Sequence, residues 1–119
     1  GVFNSSQSEV VTKTIPLNRL WLDPLKTYIA YDFWMERLFG EVTNNLEIKI
    51  LSESVTLLAL HLKKDIPQVI STGRHVLHGA NEIEDIQWDD SEKILNGISL
   101  GPKNTAYNVM IYMPEGAKW

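Results

Sequence analysis

Acidic side chains are concentrated around Trp88, and paired carboxylates are the groups with which glycosidases cleave sugars. The acidic cluster consists of Glu82, Glu84, Asp85, Asp89 and Asp90. Two carboxylates about 5–10 Å apart across a sugar site would provide the acid and the nucleophile or base. The same residues also fit a solvated strand face that runs into a turn, because aspartates favour turns. We favour the second interpretation, since exposed acidic clusters rarely catalyse reactions.

Two histidines close to this cluster, His75 and His78, could hold a metal ion together with Glu82. Their spacing places the two imidazoles on opposite faces of a strand, so we do not expect a metal site. No cofactor is expected for the chain. Arg74 is interpreted as a residue that anchors a loop or forms an ion pair with the Glu84-Asp85 pair of the cluster.

Tryptophan and tyrosine side chains are a second group of candidate binding residues, because an aromatic ring can stack on a sugar. The candidates for sugar contact are Trp21, Trp88 and Trp119. The alternative is that amphipathic aromatic side chains fill the interior or the ends of the fold. Trp34 follows Phe33 in an apolar stretch and is predicted to lie in the core, whereas Trp21 and Trp119 are predicted to be exposed.

Composition excludes several other kinds of site. The chain of 119 residues contains no cysteine, so it has neither a disulfide framework nor a thiolate metal site. It has no Gly-x-Ser-x-Gly motif and no glycine-rich phosphate loop. The net charge is −4 without a basic run, so a nucleic-acid partner is not expected. The longest near-apolar stretch, residues 55–62, is too short to span a bilayer, and no signal-peptide pattern opens the chain, so no membrane partner is expected.

The elements that must position these residues are predicted to be strands. The chain contains 26 Val, Ile and Thr residues but only 5 Ala, which favours sheet over helix. Strands are predicted at residues 9–15, 29–34, 46–50, 55–62, 68–71, 82–88, 93–100 and 107–113. Turn-forming residues separate them at intervals that are typical of a sandwich or barrel. We predict an all-β fold: an antiparallel two-sheet β-sandwich of Greek-key type, with residues 1–119 forming a single domain.

Three segments are given specific interpretations. Residues 55–62 are apolar on both faces, which predicts a central strand that is covered on both sides. Residues 17–20 follow Pro16 and could form one helical turn. Residues 31–38 also match helical spacing, but we favour a strand as far as Trp34, followed by a turn that closes at Gly40.

Several short motifs follow one another in a definite order along the chain. They are Gly1-Val2-Phe3-Asn4, a leucine-bearing segment at residues 17–22, Tyr31-Asp32-Phe33-Trp34, Leu38-Phe39-Gly40, the apolar segment 55–60, the segment 67–79 and Pro114-Glu115-Gly116. In this order they resemble the C-terminal domain of α-galactosidases of the melibiase type, where a G-L-F-N strand directly follows the catalytic barrel. The resemblance covers nearly the whole chain.

The resemblance implies a non-catalytic C-terminal module of a larger glycoside hydrolase that acts on α-linked galactosides or related glycans. In that family the nucleophile and the acid/base are aspartates of the barrel, so no catalytic residue is carried over to this chain. Asp32 matches a structural position. The implied partner is the catalytic barrel of the parent enzyme, and the implied location is extracytoplasmic, either periplasmic or secreted. The alternative function is that of a carbohydrate-binding module which uses exposed aromatic side chains.

A module that packs on a barrel requires an apolar surface near its first residues. The loop at residues 20–25 contains more apolar side chains than a free surface turn needs. The predicted docking surface therefore comprises Val2, Phe3, Leu20, Trp21, Leu22 and Leu25. In the isolated chain such a surface would be exposed or covered by a second copy, so a weak homodimer is expected.

Overall fold

A computed structural model describes residues 1–74 and 82–116 of the chain. In these residues it shows eleven β-strands and one short 3₁₀ helix. Two compact units are distinguished, Gly1–Lys63 and Lys64–Trp119, and each is considered separately below. No helix in the described part of the chain is long and apolar enough to cross a membrane.

The first unit contains seven strands and the 3₁₀ helix. The strands are β1 (Val2–Asn4), β2 (Val11–Pro16), β3 (Thr27–Asp32), β4 (Arg37–Thr43), β5 (Asn45–Ile50), β6 (Ser54–Thr56) and β7 (Leu58–Leu62), and the helix spans Leu17–Leu20. β1 pairs with β6, β2 pairs with β5, and β3 lies between β4 and β7. All of these pairs are antiparallel.

The hydrophobic core of this unit forms around the 3₁₀ helix and the central strand β3. Its buried members are Leu17, Tyr28, Ala30, Val42 and Leu46, and Ile15, Leu22, Leu58 and Leu60 pack against them. β5 alternates between exposed and buried positions as its sequence predicts, because Glu47 and Lys49 face water while Ile48 and Ile50 are buried. The predicted helical turn at residues 17–20 is confirmed, and it places Leu17 in the core with no exposed area.

The prediction of one central strand at residues 55–62 is wrong. The segment divides at Leu57 into β6 and β7, which pair with different strands. The carbonyl of Leu57 accepts a hydrogen bond of 2.9 Å from the backbone N–H of Phe33, at the point where the two strands separate. β7 lies at the end of its three-stranded sheet, and the central position belongs to β3, where residues 28–32 are all buried. The apolar residues on both faces of segment 55–62 therefore did not identify the covered strand, which is β3.

The chain also reverses earlier than the sequence predicts. β3 ends at Asp32, whose Oδ1 accepts a hydrogen bond of 3.2 Å from the backbone N–H of Met35, and Glu36 has a positive φ of 48°. This aspartate-initiated turn replaces the predicted strand through Trp34. Gly40 does not close the turn. It lies inside β4, opposite Ala30, at a register shift where its φ of 137° is readily available only to glycine.

Because of this early turn, Phe33 is buried and Trp34, which was predicted to be buried, is exposed. Phe33 is buried, with 7% of its surface exposed, whereas Trp34 is 56% exposed. The prediction that Trp34 lies in the core is therefore wrong. Its ring meets the ring of Phe33 edge to face, with centroids 5.1 Å apart.

The second unit contains four strands, β8 (Gln68–Thr72), β9 (Ile83–Asp89), β10 (Ile94–Ser99) and β11 (Val109–Tyr112). β8 pairs with β11 and β9 pairs with β10, and both pairs are antiparallel. The all-β prediction is thus confirmed by the described part of both units. The antiparallel pairings are compatible with the predicted sandwich.

Phe33 and Trp34 form a matched pair for testing the revised turn. Replacement of Phe33 by Ala should lower the free energy of unfolding by about 3–5 kcal/mol, because a buried aromatic side chain is lost. Replacement of Trp34 by Ala should lower it by about 1 kcal/mol, since more than half of this side chain is already exposed. Urea denaturation followed by circular dichroism measures both values. Equal losses in the two variants would contradict the turn at Asp32.

Candidate docking surface

An apolar groove of about 200 Å³ lies beside the N-terminal strand of the first unit. The residues that line this N-terminal groove are Gly1, Val2, Ile15, Leu20, Leu22, Leu46, Leu58 and Leu60. Val2, Leu20 and Leu22 belong to the docking surface predicted from the sequence, and the fold brings them together. Leu22 is half-buried and packs against the core cluster, so it joins the groove to the interior.

Trp21 stands beside the groove with 96% of its surface exposed. The reason is local, because Trp21 follows the 3₁₀ helix with a φ of 56° in the left-handed region. Its backbone N–H donates to the carbonyl of Asn18 at 3.1 Å, and the N–H of Leu22 donates to the carbonyl of Leu17 at 3.1 Å. These bonds close the helix and fix the backbone that carries the exposed indole.

The rest of this loop is held by its own polar contacts rather than by burial. Asp23 Oδ1 accepts a hydrogen bond of 3.0 Å from the N–H of Leu25, and the N–H of Asp23 donates to the Tyr28 hydroxyl at 3.0 Å. Leu25 is 90% exposed. The loop therefore presents two large apolar side chains, Trp21 and Leu25, on a hydrogen-bonded backbone.

Phe3 does not line the groove. It is paired with Val55 across β1 and β6, and the two side chains are 65% and 49% exposed. Because successive side chains of a strand point to opposite faces, Phe3 is directed away from the face of β1 that carries Val2. The predicted docking surface is thus divided between the groove with its loop and a separate Phe3–Val55 face.

A buried amide secures the strand that forms one side of the groove. The Nδ2 atom of Asn4 donates to the carbonyls of Glu9 at 2.8 Å, Leu51 at 3.0 Å and Ile50 at 3.2 Å. Its Oδ1 accepts a hydrogen bond of 3.0 Å from the N–H of Ser6. Sequence reasoning did not identify this role, because the amide is fixed by a partner 46 residues away. The only signal was the position of Asn4 in the Gly-Val-Phe-Asn motif.

The five acids of the cluster around Trp88 differ in burial and in hydrogen-bond partners. Glu82 precedes β9 and is buried, and its Oε2 accepts a hydrogen bond of 2.7 Å from the Thr72 hydroxyl. Glu84 and Asp85 lie exposed on β9, and Asp85 has a φ of 51° at an irregular position of the strand. These acids are therefore placed in different environments.

Asp89 and Asp90 belong to the turn between β9 and β10. The hydroxyl of Ser91, together with the backbone N–H groups of Glu92 and Ser91, holds the pKa of Asp89 below its usual value. The ammonium of Lys93 and the indole N–H of Trp88 likewise lower the pKa of Asp90. A general acid requires a raised pKa, whereas a turn is stabilised by a carboxylate that accepts hydrogen bonds. The geometry of these two residues is that of a turn.

The remaining candidates from the sequence are the possible metal ligands, Trp119 and Arg74. His75, His78 and Trp119 lie outside the described residues. Within residues 1–74 and 82–116, no three His, Asp or Glu side chains come together in a way that could hold a metal ion. Arg74 anchors a loop, which is one of its two predicted roles. It donates to the carbonyl of Leu100 and to the hydroxyl of Thr105. The ion pair with the Glu84-Asp85 pair is not formed.

Comparison with known proteins identifies no relative. No family model matches the chain, and neither a curated protein nor a solved structure matches it.

The amide of Asn4 can be tested by an isosteric change. Asn4→Asp replaces a donor that faces three carbonyls by an acceptor, and should lower the free energy of unfolding by about 2–4 kcal/mol at neutral pH. The loss should shrink in acid, because a protonated carboxyl can donate again. Asn45→Asp, an exposed position on β5, is the matched control and should have little effect. Urea denaturation at several pH values makes the comparison, and equal losses in the two variants would show that the amide is not required.

Proposed function

We propose that this chain is a non-catalytic β-sandwich module of a larger glycoside hydrolase that resembles α-galactosidases of the melibiase type. The module packs on the catalytic barrel of the parent enzyme and stabilises it. The observation that carries this proposal is the N-terminal groove together with the exposed indole of Trp21 beside it. Support for the identity of the partner comes from the order of short motifs along the sequence.

The chemistry of this surface suits a permanent protein contact. A tryptophan that is exposed on a fixed backbone buries a large area at a small entropic cost, and tryptophan is enriched among the residues that dominate binding energy. The groove beside it is lined almost entirely by aliphatic side chains, several of which continue into the core. An interface between domains of one chain typically buries about 600–1,500 Å². The groove, Trp21 and Leu25 would form its centre.

In this proposal the hydrolytic carboxylates belong to the barrel and not to this module. No hydrolytic role is assigned to the cluster around Trp88 in this proposal: Asp89 and Asp90 form a turn, Glu84 and Asp85 are exposed, and Glu82 is buried against the Thr72 hydroxyl. The module would then contribute stability and position rather than chemistry.

The second candidate function is carbohydrate binding, which the full exposure of Trp21 also supports. An exposed indole offers an apolar face on which a sugar ring can stack. Trp88 is a weaker candidate, because it is half-buried and its indole N–H donates to Asp90 Oδ1 at 3.3 Å. The two functions differ in what covers Trp21.

The docking proposal predicts weak self-association of the isolated chain, since a second copy can cover the apolar surface when the barrel is absent. Sedimentation velocity over a range of concentrations should show a reversible dimer. Trp21→Ser should remain monomeric, whereas Trp34→Ser, a control that removes another exposed indole from the opposite end of β3, should dimerise as the parent chain does. A parent chain that stays monomeric at all concentrations, or an equal loss of dimer in both variants, would contradict the proposal.

The same two variants separate docking from carbohydrate binding. Titration of the parent chain with an α-linked galacto-oligosaccharide should leave its tryptophan fluorescence unchanged if Trp21 is a docking residue. Saturable quenching that disappears in Trp21→Ser and persists in Trp34→Ser would instead establish a sugar-binding module.

A further inference from the structure

The second unit contains an apolar cleft of about 260 Å³ between its two pairs of strands. One wall consists of Val69 from β8 together with Val109 and Ile111 from β11. The facing wall consists of Ile83 and Ile86 from β9 together with Leu95 from β10. Val109 and Ile111 are 38% and 48% exposed, so the cleft is open to solvent.

An irregularity in β9 produces the second wall. Residues three apart on a regular strand point to opposite faces, but Asp85 has a φ of 51°, and the register with β10 shifts between Asn96 and Ile98. Ile83 and Ile86 consequently lie on the same face. A Cβ added to Gly97 would lie 2.9 Å from Ile83 Cγ2 and 3.6 Å from Ile86 Cγ1, so both isoleucines cover this glycine.

Tyr107 connects the cleft to a fixed positive charge. Its ring lines the cleft, and its hydroxyl shares a hydrogen bond with the hydroxyl of Ser99, which also lines it. The guanidinium carbon of Arg74 lies 4.1 Å from the centre of the same ring. Arg74 also donates to the carbonyl of Leu100 at 2.7 Å, and its guanidinium lies against Gly101, in the space that a Cβ at that position would take.

The charge of Arg74 is not neutralised within the described part of the chain. Two of its terminal nitrogens donate to neutral oxygens, those of Leu100 and Thr105, and no described carboxylate lies within ion-pair distance. Residues 75–81, which follow it directly, contain neither Asp nor Glu. A guanidinium has five N–H donors in a planar fork that suits carboxylates. Arg74 does not itself line the cleft, but it lies against Tyr107 and bonds Leu100, the residue after Ser99, and both Tyr107 and Ser99 line it. An anionic group at the Tyr107 end of the cleft would therefore be the complement of this guanidinium.

We propose that the cleft binds a small amphipathic anion, a linear aliphatic carboxylate whose chain lies between the two apolar walls and whose carboxylate meets Arg74. At about 30 Å³ for each non-hydrogen atom, the share of liquid volume that one water takes, a cleft of 260 Å³ holds about nine such atoms. This corresponds to a chain of six to eight carbons. The site is independent of the proposed docking surface, since all of its residues belong to the second unit.

Octanoate is the probe, and 1-octanol is its uncharged analogue of nearly equal length. Isothermal titration should give a saturable Kd for octanoate below about 1 mM, and binding of 1-octanol should be about tenfold weaker or more because a charge-assisted hydrogen bond is lost. Arg74→Gln should raise the Kd for octanoate by a similar factor and leave that for 1-octanol unchanged. Lys93→Gln, which removes an exposed cation from the β9–β10 turn, should change neither value.

A second pair of variants tests the apolar walls. Ile111→Ser should weaken the binding of both compounds, whereas Ile98→Ser should not, because Ile98 is similarly exposed at 52% but follows Gly97 and points to the other face of β10. Circular dichroism shows whether each variant is folded. If Arg74→Gln is unfolded, the comparison of octanoate with 1-octanol on the parent chain still shows whether the carboxylate contributes to binding. The proposal is overturned by absent saturation, by equal affinity for the two compounds, or by equal effects of Ile111→Ser and Ile98→Ser.

Discussion

The side-chain amide of Asn4 ties three separate backbone segments of the first unit together, and the N-terminal groove depends on it. β1 contains only three residues and pairs with an equally short β6, which is too little to hold a strand by its ladder alone. The amide adds bonds to the carbonyls of Ile50 and Leu51 at the end of β5 and to Glu9 beyond the first turn. β5 is fixed in turn by its buried alternate residues. The position of Val2 in the groove thus follows from the packing of β5.

The opposite side of the groove is fixed by Leu17. Leu17 is fully buried and its carbonyl accepts the N–H of Leu22, so the 3₁₀ helix that begins with it is anchored to the core. The helix ends at a residue in the left-handed region. Trp21 is that residue. The exposed indole is thus carried by a hydrogen-bonded, left-handed backbone position and not by a loose loop. The surface proposed to meet a catalytic barrel is built from the same side chains that stabilise the unit.

The sequence predicted those elements that depend on residues close together in the chain. Alternation identified β5, and Pro16 followed by a leucine-bearing segment identified the 3₁₀ helix. Burial that depends on distant partners was not predictable. Residues 55–62 have the sequence of a covered strand, yet β3 is the central strand. Phe33 rather than Trp34 is buried, because Asp32 starts a turn that composition does not reveal. Leu20 and Leu22 were selected for the surplus of apolar side chains in their loop, and Val2 for its place near the start of the module. The groove that unites them is also lined by Ile15 and Leu46, which face each other across the paired strands β2 and β5, and no single segment of the sequence indicates this pairing.

Hydrogen exchange at residues 17–25 tests the proposal that the groove and its loop are covered by another part of a larger enzyme. The exchange rates are compared between this chain alone and the protein produced from the complete open reading frame that encodes it. We expect a longer protein with a catalytic barrel, in which the amides of this loop exchange at least tenfold more slowly. Unchanged rates in the longer protein, or a reading frame that adds no barrel, would contradict it.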